Sequence, residues 1–269
     1  MLKPASTSTP YGITFLYQDD ALVAVSKPVG LVVHEAPGPG PSLLRVLREA
    51  HGLDGLKLVH RLDKDVSGVL LLGKSKAAAA ALQAQWNTVV KTYVALCEGA
   101  PELNEGLIDA PILEHQTGRP SRMKTALYWW RDKFPNAEMP SPPPPKTSAV
   151  HPAGRTSQTR YRVKERFHAA ERAWSFLELS PVQGRMHQIR VHLQHAGWPL
   201  AVDKLYGRRT VLQTADLGRE GEGVLLTRVP LHAARLEFPH PLESGRRIAV
   251  EAPMPEDFTL VLELLRNAR

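Results

Sequence analysis

The sequence predicts a mixed α+β domain on three observations. Period-two alternation recurs along the chain, as in VVKTYVALCEG at Val89 to Gly99, TSQTRYRVKERF at Thr156 to Phe167 and AWSFLELSP at Ala173 to Pro181, which is the spacing of half-buried strands. Helix-forming runs lie between these segments, the strongest being KAAAAALQAQW after Ser75, because alanine gives up the least entropy in a helix. No composition shift or internal repeat divides the chain, apart from one proline-rich stretch. With 43% hydrophobic and 23% charged residues in 269, the chain can bury a sizeable core. The expected organisation is a flexible N-terminus over 1–12, one domain over 13–269, and a proline-rich surface insertion at about 127–151.

Taken in order, TFLYQDDALVAVSKP gives two short strands, Thr14 to Tyr17 and Ala21 to Val25, around an Asp19-Asp20 turn, closed by Lys27-Pro28 and Gly30. Proline cannot donate to a ladder, and glycine tolerates the turn. LVVH at Leu31 to His34 resumes an extended path. Ser42 is placed as the N-cap of a helix from Leu43 to about Ala50, and Ser75 as the N-cap of the alanine-rich helix. Between them Val69 to Leu72 reads as a buried strand bounded by Gly68 and Gly73. GLIDAPI and HQTGRPSRMKT read as a turn-rich, basic connection. The stretch from Leu127 to His151 carries Trp129, Trp130 and four prolines at Pro142 to Pro145, a composition that builds neither ladder nor helix. Near the C-terminus two strands joined by a Ser244-Gly245 turn precede a helix from about Glu256, with Phe258, Val261, Leu262 and Leu265 inward.

Charge narrows the partners. The balance of 34 Lys+Arg against 27 Asp+Glu gives a net charge of +7, and surplus positive charge favours a polyanion through counterion release. The single cysteine, Cys97, excludes an intramolecular disulfide and a cysteine-rich zinc site. The first residues, MLKPASTSTP, have no apolar h-region, and no apolar run reaches the ~18 residues of a membrane span. A cytoplasmic protein is expected.

The most chemically loaded stretch is VHRLDKDVSGVLLLGKS, Val59 to Ser75. An Asp63 carboxylate near the Arg61 guanidinium should stay ionised and could serve as nucleophile or base. A second reading of the same residues is a loop whose Asp and Ser cap backbone groups before a core strand. Further on, Gly184 and Arg185 lead into a helix on which Met186, Ile189, Leu193 and Ala196 share one face. The other carries His187, Arg190 and His195, flanked by Gln188 and His192. Guanidinium groups at such a helix entry suit phosphate oxygens. The histidine spacing matches no zinc motif, so no metal is expected.

With these residues in view, HRLDKDVSG is similar to the H-R-L-D-x-x-T-S-G signature of the RluA-type RNA pseudouridine synthases. LYQDDALVAVSKPVGLVVH resembles that family's opening element, KTYVALCEG its tyrosine strand, GRMHQIRVHLQHAGWPLAVDKLYG its third motif, and LHAARLEFPHP with APMPEDF its closing strands. Val66 stands where threonine is usual, and Trp198 where histidine is commoner. The resemblance implies the pseudouridine synthase fold, a long, twisted, mostly antiparallel sheet flanked by helices with a central cleft. It also implies isomerisation of a uridine in RNA, detached at N1 and rejoined through C5, without metal or organic cofactor.

By position, Asp63 matches the family's catalytic aspartate, which attacks the base or sugar or assists glycosidic cleavage. Tyr93 matches the tyrosine that packs on the target base. Arg190 matches the basic residue that keeps the aspartate ionised, with Arg185 second choice, and Arg61 matches the arginine that fills the space of the flipped nucleotide. Lys27, His60, His187 and Gln188 are expected, with Arg61 and Arg185, to contact substrate. The implied partner is structured RNA, ribosomal or transfer, bound by a monomer away from any membrane, and with only about a dozen residues before the first strand no S4-like domain is expected to precede it. The competing class is a non-catalytic RNA-binding module on the same fold.

Overall fold

The computed structural model describes residues 10–34, 40–114 and 147–268. Two compact units make up the chain: Met1–Val94 with Arg228–Leu264, and Ala95–Thr227 with Leu265–Arg269.

The first unit opens with β1 (Thr14–Gln18), β2 (Leu22–Lys27), α1 (Leu43–His51), β3 (Lys57–Leu58), β4 (Ser67–Gly73) and α2 (Lys76–Ala84), then enters β5 (Val90–Glu98). The chain returns to it as β13 and β14, described below. Strand β4 runs antiparallel to β2 along its length, from Lys27↔Gly68 to Leu22↔Gly73, and β1 extends the pairing on the far side of β2. Every residue of β4 is buried, which is why SGVLLLG reads as an uninterrupted apolar run rather than an alternating one. Both helices start where side-chain caps were expected: the Ser42 hydroxyl accepts from Arg45 N–H and the Ser75 hydroxyl from Ala78 N–H. Leu31 to His34 forms no strand; the Val32 and Val33 carbonyls accept from Leu43 and Leu44 N–H and tie this segment to the start of α1.

The second unit contains the end of β5, then β6 (Glu105–Asp109), β7 (Ile112–Glu114), β8 (Ser148–Val150), β9 (Gln158–Ala169), β10 (Arg172–Pro181), α3 (Gln188–His195), β11 (Leu212–Gln213) and β12 (Val224–Leu226). Its long hairpin, β9 with β10, is antiparallel over ten residue pairs, with a bulge between Phe176 and Leu177, and β6 adds antiparallel to the outer side of β9. GLIDAPI, expected to be turn-rich, instead supplies most of β6 and the start of β7. Its signal is hidden because only Ile108 of β6 is buried, so no alternation shows in the sequence. The proline-rich insertion expected at 127–151 lies outside the described residues as far as 146, as do Trp129 and Trp130; its last residues form β8.

Back in the first unit, β13 (Leu231–Pro239) and β14 (Arg247–Glu251) form the expected hairpin, and α4 (Glu256–Arg266) closes the chain. Phe258, Val261, Leu262 and Leu265 are all buried, as the helical spacing predicts. The first-unit core gathers Leu22, Val69, Leu71, Leu82, Phe238 and Val250. Strand β13 pairs parallel with β4, at His232↔Ser67 and Ala233↔Gly68. The architecture is therefore the expected mixed α+β fold with a mostly antiparallel sheet. No helix among the described residues is long and apolar enough to cross a membrane.

Candidate active site

The HRLD loop joins β3 to β4, and its position follows from what grips its backbone. The Asp63 carbonyl accepts from Val66 N–H, and the Lys64 carbonyl accepts from Gly30 N–H at 2.8 Å. A second donor reaches the Lys64 carbonyl, the Lys27 ammonium at 3.2 Å, which also donates to the carbonyls of Pro28 and Leu31. Lys27 is fully buried. Burial lowers its pKa to about 8, and the negative charges of Asp63 and Asp65 oppose that shift. An isolated ammonium at this depth would be expensive; three carbonyls and two nearby carboxylates offset much of the cost. Lys27, expected to touch substrate, thus holds the loop from within.

Just past the loop, Ser67 begins β4 and shares a 2.9 Å hydrogen bond with His232 Nδ1, while His232 Nε2 lies 3.2 Å from the Ala252 carbonyl. A carbonyl only accepts, so Nε2 carries the proton and Nδ1 accepts from the Ser67 hydroxyl. Gly68 then adopts φ +116 and brings its backbone so close to β13 that a Cβ would sit 2.2 Å from the Ala233 oxygen. Asp63 is accordingly carried on a loop that leads straight into a fully buried strand.

Asp63 is half-buried and Arg61 is exposed. Tyr93, on β5, is also half-buried; burial pushes its phenol well above the usual tyrosine range, and the Asp63 charge adds to the shift. The phenol is therefore protonated at any physiological pH, a hydrogen-bond donor beside a carboxylate rather than a base. His60 is engaged within the same unit. Its Nε2 accepts the Leu71 N–H at 3.0 Å, and its ring stacks on Trp86 with centroids 4.8 Å apart. Burial, with a smaller contribution from the Lys91 charge, lowers its pKa to about 3, so the imidazole is neutral.

The second unit places the other four predicted residues around the start of α3. His187 precedes the helix in the left-handed region, φ 57, so the helix begins at Gln188 rather than at Met186. Gln188 is a buried connector: its Oε1 accepts from Arg185 N–H, and its Nε2 donates to the Gln158 carbonyl and Thr159 Oγ1. The Arg185 guanidinium donates to the Thr156 carbonyl. His187 Nδ1 shares a 2.8 Å hydrogen bond with the Tyr206 hydroxyl.

Arg190 is buried and makes a side-on ion pair with Asp203, Nε to Oδ2 at 2.7 Å and Nη2 to Oδ1 at 2.8 Å. Burial pushes the Asp203 carboxyl up, but the Arg190 hydrogen bonds and charge, with Leu205 and Tyr206 N–H, outweigh it and hold the group below the usual carboxylate range. The polar face of α3 is thus largely internal: Gln188, Arg190 and His192 are all buried, and His192 bridges Thr159 Oγ1 and the Ala110 carbonyl. Sequence reasoning missed Asp203, Tyr206, Ser67 and His232, whose roles come from partners distant in the chain. No cluster of potential metal ligands occurs among the described residues.

These site residues sit in a chain with recognisable relatives. Residues 21–195 match the RNA pseudouridylate synthase family. The chain is 36% identical over 262 residues to the ribosomal large subunit pseudouridine synthase C of Escherichia coli (strain K12), covering 94% of this chain and 70% of that protein. The enzyme of the same name from Vibrio cholerae is 35% identical over 259 residues, covering 94% and 69%. Among solved structures, human RNA pseudouridylate synthase domain containing 4 superposes with a TM-score of 0.66 at 25% identity, covering 94% of this chain and 92% of that one. Matches of this extent favour an enzyme over a bare binding module on the same fold. A pinned HRLD aspartate beside a protonated tyrosine, inside a family match spanning residues 21–195, leads to one conclusion: the chain belongs to the RluA-type RNA pseudouridine synthase family, isomerases that convert uridine in RNA to pseudouridine.

Proposed function

We propose that this enzyme modifies one or more uridines of large-subunit ribosomal RNA, acting in the cytoplasm as a monomer without metal or organic cofactor. The observation that carries the choice of RNA is the 36% identity, across 94% of the chain, to enzymes named for the ribosomal large subunit. In this reading Asp63 is the acid that acts on the nucleotide, Tyr93 packs on the base and donates its proton-bearing hydroxyl, and Arg190 is the basic residue that the family resemblance assigns to the chemistry. Arg61, exposed and two residues from Asp63, takes the space vacated by the extruded nucleotide, where its planar fork can stack and bind phosphate together. Extrusion costs a few kcal/mol, offset by contacts to the RNA backbone that a chain of net charge +7 is suited to make.

Lys27, His60, Arg185, His187 and Gln188 serve this site by fixing its backbone and helix entry, a role supported by their partners within each unit. The test is a pseudouridine map of ribosomal and transfer RNA from a strain lacking the gene. Loss of signal at one or a few large-subunit uridines is expected. A complete large-subunit pattern with losses confined to transfer RNA would reject the choice of RNA.

A further inference from the structure

Ser67 and His232 share a buried hydrogen bond that the strand pairing around them does not require. Both residues are almost fully enclosed, 3% and 1% exposed, and the Ser67 hydroxyl lies 2.9 Å from His232 Nδ1. The other ring nitrogen donates to the Ala252 carbonyl. Burial, with the Arg228 charge adding to it, holds the His232 pKa below the ordinary histidine value although the Ala252 carbonyl works against the shift. The ring is therefore neutral near pH 7, and Nδ1 accepts from the hydroxyl. What this bond holds is one end of the turn that carries Asp63. The Asp63 carbonyl accepts from Val66 N–H at 3.2 Å, so a single closed turn separates the acid from Ser67. The middle of that turn is gripped at the Lys64 carbonyl by Lys27 and Gly30. At its end, pairing of β4 with β2 starts at Gly68, whereas β13 pairs over His232↔Ser67 and Ala233↔Gly68. All of these groups belong to the first unit. A turn gripped at one point can pivot about it; a second grip at Ser67 removes that freedom before the reaction has to.

We propose that His232 is a positioning residue for the pseudouridylation reaction, which through the Ser67 hydroxyl fixes the turn bearing Asp63 and so the direction in which that carboxylate is presented. The proposal rests on the reading of Asp63 given above and adds to it a residue far along the chain that sets the acid's direction.

The test compares two amides at position 232 by tritium release from uridine-labelled large-subunit RNA, well below the melting temperature of each variant, with RNA affinity measured separately by filter binding. His232→Asn puts an acceptor where Nδ1 stands and can keep the Ser67 bond while giving up Ala252. His232→Gln puts a donor where Nε2 stands and keeps Ala252 while giving up Ser67. In His232→Gln and in Ser67→Ala kcat should fall about 10- to 100-fold, the scale of loss for a misplaced reactive group, with KM and RNA affinity unchanged. His232→Asn should lose much less, and adding His232→Gln to Ser67→Ala should cause no further loss. A residue that merely braced the fold through Ala252 would give the opposite order, with His232→Gln the more active amide. That order, equal kcat in the two amides, losses that multiply in the double variant, or a kcat loss matched by weakened RNA binding would each overturn the proposal. Should both amides fail to fold, Ser67→Ala, which removes a single oxygen, decides: unchanged kcat overturns the proposal and a fall in kcat alone supports it. No release by the unaltered enzyme, or full release by Asp63→Asn, would overturn the functional reading beneath the proposal, whereas release by the unaltered enzyme, loss in Asp63→Asn and equal release by the Ser67 and His232 variants would overturn this inference alone.

Discussion

At His60 a backbone amide decides the chemistry. With Nε2 accepting from Leu71 N–H, protonation of the ring would break that bond inside the first unit, and burial holds the pKa down at about 3. The unfolded chain takes up this proton near the ordinary histidine value and the folded chain does not. The contribution to stability is therefore intact above about pH 6.5 and is lost as pH falls from there towards 3. Replacing His60 by Gln, which keeps an acceptor and cannot titrate, should flatten that dependence. In urea unfolding at pH 7 and pH 5, the unaltered protein should lose about 2 kcal/mol more than His60→Gln between the two conditions; equal losses would refute the assignment.

Lys27 invites a different measurement. Buried, with its ammonium on three carbonyls, it has no surface to offer RNA, so Lys27→Met should lower kcat and melting temperature while leaving the slope of log affinity against log salt unchanged. A lysine that touched phosphate would reduce that slope by about 1. The sequence nominates Asp63, Tyr93 and Arg190 through their resemblance to family motifs. It does not show that Lys27 and His60 spend their polar atoms on Lys64 and Leu71, because a backbone carbonyl or amide leaves no trace in residue identity.

Among the elements, β4 has the most demanding position, with β2 and β3 antiparallel to it and β13 parallel at its start. Gly68 is where that parallel contact is tightest: φ is +116, and a Cβ would meet Ala233 oxygen at 2.2 Å and nitrogen at 2.6 Å. No side chain can give way there, since both neighbours are backbone. Gly68→Ala should destabilise by more than ~1 kcal/mol, since alanine is forced to positive φ there, and leave little soluble protein, checked by yield and thermal melting; a normal melting temperature would contradict the geometry.

Elements with local signals are legible in the sequence. Ser42 and Ser75 mark α1 and α2 because a cap is a contact between near neighbours. The start of α3 is not, because a left-handed His187 is imposed by its bond to Tyr206 across the unit. Strands β6 and β7 are missed for the corresponding reason, that an edge strand with one buried residue carries no alternation.

On the scale of the whole molecule, two features escape the residues read one by one. The division into units runs through β5 at Val94–Ala95 and through α4 at Leu264–Leu265, inside regular elements, so no linker composition announces it. Membership of a catalytic family, by contrast, is legible because HRLDKDVSG, KTYVALCEG and GRMHQIRVHLQHAGWPLAVDKLYG are spread along the chain and each survives as a structural piece. Within each unit the site residues are braced by buried polar contacts, so a single substitution at the acid should remove chemistry and leave the fold. The most direct measurement is tritium release from [5-3H]uridine-labelled large-subunit RNA by the unaltered enzyme and by Asp63→Asn, with RNA binding followed in parallel. The account predicts turnover by the former, a loss of at least about 10²- to 10⁴-fold in the variant, and equal affinity for RNA. Release by Asp63→Asn at the rate of the unaltered enzyme would contradict it.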